Sequence, residues 1–263
     1  MAKLESLGSV GILVRDLRKA KAFYVRKIGL KVRDEDRKWG YVALGATLGG
    51  KDAAVNLWQP VPEWGPADYE AGMKQIGSVT GVGFRTSSLE KTVAALKQRG
   101  VKVDVQEEGD EGLFGRFTDL DGNESFLAEP NKVTVHRAGL SALEFVTVVS
   151  RDAKRAGEFF TKALGMRARK VRGEESFVSH RLSPEGTAIT PFTPNREMYK
   201  DPSDYDADMA HVGENTMIMF TARDVEAVQE SLMSRGVRFA KKATKEAWGT
   251  QAKFLDQIGR AHV

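Results

Sequence analysis

Residues 16–29 read DLRKAKAFYVRKIG, and residues 152–165 read DAKRAGEFFTKALG. Both open on an aspartate, whose side chain accepts from the free N–H groups of a helix start. Both close on a glycine, which suits the left-handed residue after a helix end. Between these ends the apolar positions fall at helical spacing: Ala156, Phe159, Phe160, Ala163 and Leu164 in one stretch, Ala20, Phe23, Tyr24 and Ile28 in the other. Two more stretches, Ser87 to Gly100 and Asp224 to Gly236, follow the same plan. The closing glycines stand at 29, 100, 165 and 236, so the first and third, and the second and fourth, are each 136 residues apart. Pro66-Ala67-Asp68-Tyr69 with Met73 recurs at that offset as Pro202-Ser203-Asp204-Tyr205 with Met209. Amphipathicity alone does not reproduce a loop motif, so the chain reads as two copies of one block, each of two smaller units.

Strand signals surround the helices. Ser9–Val14, Val82–Phe84, Leu143–Val149 and Met217–Phe220 precede them, and Leu30–Arg33, Trp39–Leu44 and Ala53–Trp58 follow the first. The unit is strand, helix, strand, strand, strand. The predicted domains are residues 1–131 and 138–263, joined by a linker at 132–137. With 41% hydrophobic and 29% charged residues the composition is that of a globular chain, not a disordered one. No cysteine is present, which excludes a disulfide framework and a thiolate site and suits a cytoplasmic protein. No apolar run approaches the roughly 20 residues of a membrane helix. The net charge of +4 is interleaved rather than banked into a stripe, so neither nucleic acid nor membrane is expected as a partner.

Val14-Arg15-Asp16-Leu17 with Phe23-Tyr24 and Ile28-Gly29-Leu30, together with Phe117-Thr118-Asp119-Leu120-Asp121-Gly122-Asn123, resembles the vicinal oxygen chelate superfamily of glyoxalase I, extradiol dioxygenases and bleomycin-resistance proteins. Arg151-Asp152, Phe159-Phe160 and Leu164-Gly165-Met166 repeat the first signature. The resemblance implies an α+β fold of two tandem glyoxalase-like domains, each of two βαβββ units whose curled mixed sheet forms a cup. It also implies a divalent metal held in that cup by His, Glu or Gln. Carried over, those positions are Ser9, Asn56, Gly81 and Phe126 in the first block and Phe145, Thr190 and Met217 in the second. None is an imidazole or carboxylate, so no metal site and no cofactor is predicted. Among the histidines, His180 and His211 with Glu214 are the set that a metal would use under the alternative reading.

Three other motifs resolve on their context. Gly45-Ala46-Thr47-Leu48-Gly49-Gly50-Lys51 nearly spells a phosphate loop, but Asp52 follows and then a strand, so it is read as a hairpin turn. Asp119-Leu120-Asp121-Gly122-Asn123 lacks the sixth-position glycine and twelfth-position glutamate of a calcium loop and is read as a turn into the last strand. The connections Gln59–Ser78 and Thr193–Gly213 are long enough to act as lids, with Asp68 and Asp204 read as caps of short helices. No serine sits in a nucleophile elbow.

The expected ligand surface is Ser9, Asn56, Trp58, Trp64, Phe114, Phe126, Phe145 and Met217, an aromatic cup with a few polar groups. The expected function is metal-independent binding of a small, aromatic or antibiotic-like molecule, as in bleomycin-resistance members. The alternative is a metal-dependent lyase or dioxygenase of the same superfamily. The chain is expected to be a monomeric pseudo-dimer or a homodimer. At the other end, Phe254-Leu255-Asp256 matches Phe117-Thr118-Asp119, but the final strand of the second block is expected to be truncated. Its replacement, Ile258-Gly259-Arg260-Ala261-His262-Val263, reads like one frame of a sequencing adapter, as in environmental DNA fragments.

Overall fold

The computed structural model describes residues 2–77, 81–108, 112–130, 135–170, 178–199, 201–210, 212, 217–246, 248–256 and 261–263. They form two compact units, Ser9–Val146 and Met1–Gly8 with Thr147–Val263.

In the Ser9–Val146 unit the chain enters on β1 (Ser6–Leu13) and turns into α1 (Leu17–Ala22), then runs through β2 (Lys31–Asp36), β3 (Tyr41–Gly45) and β4 (Ala54–Trp58). The Asp16 side chain accepts from Lys19 N at 2.9 Å, as its place before the apolar stripe requires. After Ala22 the helix widens into a π turn over Phe23–Ile28. Gly29 N and Leu30 N both reach back to the Tyr24 carbonyl, and Gly29 closes the helix at φ +98°. β1 pairs parallel with β4, β4 antiparallel with β3, and β3 antiparallel with β2. Val10, Ile12, Val42, Leu44, Val55 and Leu57 alternate toward the helix side, where they are buried with Phe23, Tyr24 and Ile28.

After α2 (Pro66–Lys74) the motif repeats as β5 (Val82–Thr86), α3 (Leu89–Gln98), β6 (Asp104–Glu108), β7 (Gly112–Thr118) and β8 (Glu124–Ala128). The α3 cap is Ser88, whose Oγ accepts from Lys91 N; Ser87, one residue earlier, instead holds Arg137. β5 pairs parallel with β8, and β8, β7 and β6 run antiparallel in turn. The other side of β5 takes residues Leu140–Val146 of β9 (Leu140–Val149).

The second unit repeats these elements. After β9 come α4 (Ala153–Glu158) with a π turn over Phe159–Ala163, β10 (Arg167–Lys170), β11 (Val178–Arg181) and β12 (Ala188–Phe192). Then follow α5 (Pro202–Ala210), β13 (Ile218–Thr221), α6 (Val225–Met233), β14 (Arg238–Glu246), β15 (Gly249–Leu255) and β16 (Ala261–His262). Asp152 and Asp224 cap α4 and α6. Gly100, Gly165 and Gly236 have φ of +73°, +73° and +83°, as expected of closing glycines. β13 is bordered by the N-terminal segment, with Glu5 N donating to Thr221 O at 2.8 Å, and by Val263, which exchanges hydrogen bonds with Ile218 and Phe220. The truncation expectation falls on residues 257–260, outside the described set, and on β16, which pairs with β15.

Asp68 is not a cap. It lies inside the first turn of α2, where Pro66 starts the helix, because proline at that position needs no N–H partner. In the equivalent turn Asp201 accepts from Ser203 N and Oγ. Among the described residues no helix is long and apolar enough to cross a membrane.

Candidate functional site

β4 shows how the sequence places the site. Val55 and Leu57 point into the core, so Ala54, Asn56 and Trp58 occupy the opposite face. On β1 the same alternation puts Ser9, Gly11 and Leu13 on that face. Asn56 is 8% exposed and Ser9 7%. Asn56 Nδ2 donates to Ser9 Oγ at 3.1 Å. Its other amide atom, Oδ1, is buried with no hydrogen-bond partner. Leaving such an acceptor unmatched costs about 1–3 kcal/mol. The residues level with Asn56 on its neighbouring strands are Gly11 and Ala43, so the amide stands between two positions with little or no side chain.

The aromatic part of the site lies one step further along β4. Trp58 is half-buried, with its ring 4.8 Å from Tyr41 and 5.9 Å from Trp64, edge to face. Trp64 comes from the short helical turn Pro62–Trp64 in the connection, and its Nε1 donates to Trp39 O at 3.2 Å. Tyr41 was not among the residues expected from the sequence. It stands directly opposite Trp58 in the β3–β4 hairpin, so register was the signal that would have found it. Its hydroxyl donates to Asp34 at 2.6 Å, and this bond, with some burial, pushes the phenol up to about 12. The phenol therefore stays neutral and its proton is committed.

The other expected residues fall elsewhere. Phe126 on β8 and Phe145 on β9 flank Gly83 and stack at 6.2 Å with 29° between planes. A Cβ on Gly83 would lie 2.2 Å from the Phe145 ring, so the bare glycine is what lets the ring lie across β5. Phe114 on β7 is half-buried and level with Ala128. Arg116, two residues on, pairs with Glu124 at 3.1 Å. Ser9, Asn56 and Trp58 thus share one face of one sheet, with Trp64 packed on Trp58 from the connection, and Phe126 with Phe145 lie on a second sheet. Met217 belongs to the other unit, where it precedes β13 at φ +46°.

His180 on β11 faces the helix layer. It is 2% exposed, lies against Gly157 and the Phe160 ring, and has Thr161 Oγ1 at 3.3 Å from Nδ1. A Cβ on Gly157 would sit 2.8 Å from His180 Nε2. Burial pulls the imidazole down from 6.5 to about 4. His211 and Glu214 lie outside the described residues, among which no three His, Asp or Glu side chains gather in a cluster able to hold a metal ion. In the hairpin loop read against a phosphate site, Arg33 fills the turn. Its guanidinium donates to Thr47 O, Asp52 O and Asp52 Oδ1, and Asp52 Oδ2 accepts from Leu143 N.

A profile of the glyoxalase/bleomycin resistance protein/dioxygenase superfamily matches residues 6–125 and 142–259. No curated protein matches the chain in sequence. Among solved structures, glyoxalase I from Zea mays is 17% identical with a TM-score of 0.68, covering 98% of this chain and 90% of its own. An antibiotic binding protein from Streptomyces sp. CB03234 is 26% identical with a TM-score of 0.37, covering 50% of this chain and 98% of its own. A superfamily member from Sphaerobacter thermophilus DSM 20745 is 28% identical with a TM-score of 0.38, covering 47% and 95%. The full-length likeness extends to the fold.

Proposed function

The chain belongs to the glyoxalase/bleomycin resistance protein/dioxygenase superfamily, and on that premise we propose that it binds a small planar molecule without a metal ion. The observation that carries the reading is the Ser9–Asn56 pair. At two positions where the resemblance calls for metal ligands stand two neutral side chains hydrogen-bonded to each other. The remaining first-block positions, Gly81 and Phe126, supply no donor atom from a side chain. These residues do not fit a divalent cation, which wants imidazole or carboxylate ligands. The face instead combines a buried amide with Trp58, Tyr41 and Trp64, the mix of apolar walls and few polar groups that retains a flat ligand.

The test has two arms. Protein loaded with manganese, nickel or zinc and then dialysed is expected to carry no stoichiometric metal by elemental analysis. Planar heteroaromatic compounds are expected to quench tryptophan fluorescence, and Trp58→Leu to remove most of that quenching. Tightly retained metal at one ion per chain would overturn the reading.

A further inference from the structure

The Ser9–Asn56 pair also says what kind of atom the ligand must present. An asparagine amide has a donor end and an acceptor end. Here the donor end has a partner within the sheet, Ser9 Oγ at 3.1 Å, and the acceptor end has none. The imbalance sits on a side chain more than nine-tenths buried, in a row where Gly11 and Ala43 leave the amide without tall neighbours. A carbonyl oxygen in that setting attracts an N–H or O–H. It repels anions and ring faces, and a lone amide oxygen does little for a cation that needs several charged ligands.

Resting on the binding role proposed above, we infer that the ligand is a neutral planar molecule carrying a hydrogen-bond donor at its edge, received by Asn56 Oδ1. Trp58 lies two residues along β4 on the same face, so ring and donor are read from adjacent positions of one strand. The class is that of phenols, indoles and aryl amides. Ethers and N-alkylated analogues of equal size fall outside it. A site built to bond a donor rejects an isostere lacking it far more strongly than an apolar wall discriminates size.

Indole and benzofuran form the cleanest probe pair, since they share a shape and differ by an N–H in place of an oxygen. Calorimetric titration of the full chain is expected to give at least about tenfold tighter binding of indole, with that preference collapsing in Asn56→Leu. Ser9→Ala is expected to keep it, because Oδ1 remains. The thermal midpoint of Asn56→Leu is expected to stay close to the parent's, since the substitution removes an unmatched buried acceptor but leaves the buried Ser9 hydroxyl without its partner, two opposed effects of similar size. Equal binding of the two probes by the parent chain would overturn the donor assignment and leave the binding role standing, and needs no variant. A preference that survives in Asn56→Leu would do the same. Failure of both probes to bind would overturn the binding role, and the assignment with it.

Discussion

Leu44 and His180 occupy the same place in their two units. Leu44 pairs with Val55 across β3 and β4, and His180 pairs with Ile189 across β11 and β12. Both face the helix layer and both are buried. One unit thus packs an aliphatic side chain where the other packs an ionisable one. The second unit accommodates the ring with Gly157, where the equivalent position of the first carries Lys21. A second contrast lies at the turn before the last strand. Asp119 accepts from the Tyr24 hydroxyl, from Asn123 Nδ2, and from the backbone of Asp121 and Asn123. In the other unit Phe160 replaces Tyr24 at the 136-residue offset, and His262 Nε2 lies 3.3 Å from Asp256 Oδ2. The frame is common to both units, while the polar groups buried in it are not.

That contrast breaks most sharply with pH. The His180 pKa is about 4 in the folded chain against 6.5 for an ordinary histidine, so between those values the unfolded state binds the extra proton. Stability therefore rises with pH across this window and is lost on acidification, by about 3 kcal/mol at full effect. Denaturant titrations from pH 7 to 4 are expected to show this slope in the unit holding His180. In His180→Leu, which copies the first unit, the slope is expected to flatten. A slope unchanged by the substitution would show that other groups set it.

Asp119→Ala is expected to cost a similar amount, about 3 kcal/mol, by stranding one hydroxyl, one amide and two backbone donors. Tyr24→Phe converts that position to the one found at Phe160 and is expected to cost about 1 kcal/mol, since Asp119 keeps its other partners. Chemical denaturation separates the two; equal losses would mean that the hydroxyl alone organises the turn.

The smallest effect sharpens what the units share. Arg99 Nη1 donates to Lys27 O at 2.9 Å, and Arg235 Nη1 donates to Ala163 O at 2.6 Å, both arginines and both carbonyls being 136 residues apart. Arg99→Ala and Arg235→Ala are each expected to cost about 1 kcal/mol. Clearly unequal losses would show that the equivalence is one of geometry only.

Much of this frame could be read before any coordinates. The aspartate caps, the closing glycines and the strands around them follow from local chemistry, which periodicity reports faithfully. The π turns over Phe23–Ile28 and Phe159–Ala163 could not, because apolar residues three and four apart suit an α-helix equally well. The cap of α3 was displaced by one residue because Ser87 and Ser88 are chemically the same, and the Ser87 hydroxyl is taken by Arg137. At the site, strand alternation placed Asn56 and Trp58 on one face and Ser9 beside them. Alternation cannot say which strands share a sheet, so it did not separate the Phe126–Phe145 stack from the Ser9–Asn56 face. Nor did it single out Tyr41, whose place opposite Trp58 depends on hairpin register.

The pairing of β1 with β13 carries a cost in time. Ser6 meets Thr221 across 215 residues of sequence, and Glu5 N finds its acceptor on that same threonine. A ribosome adding about 5–20 residues per second needs on the order of ten seconds or more to make that partner. Residues 9–146 have all their chain long before then. Residues 5 and 6 are therefore made well before their partner, and for that interval they are an unpaired strand edge that the cell must keep from pairing with something else.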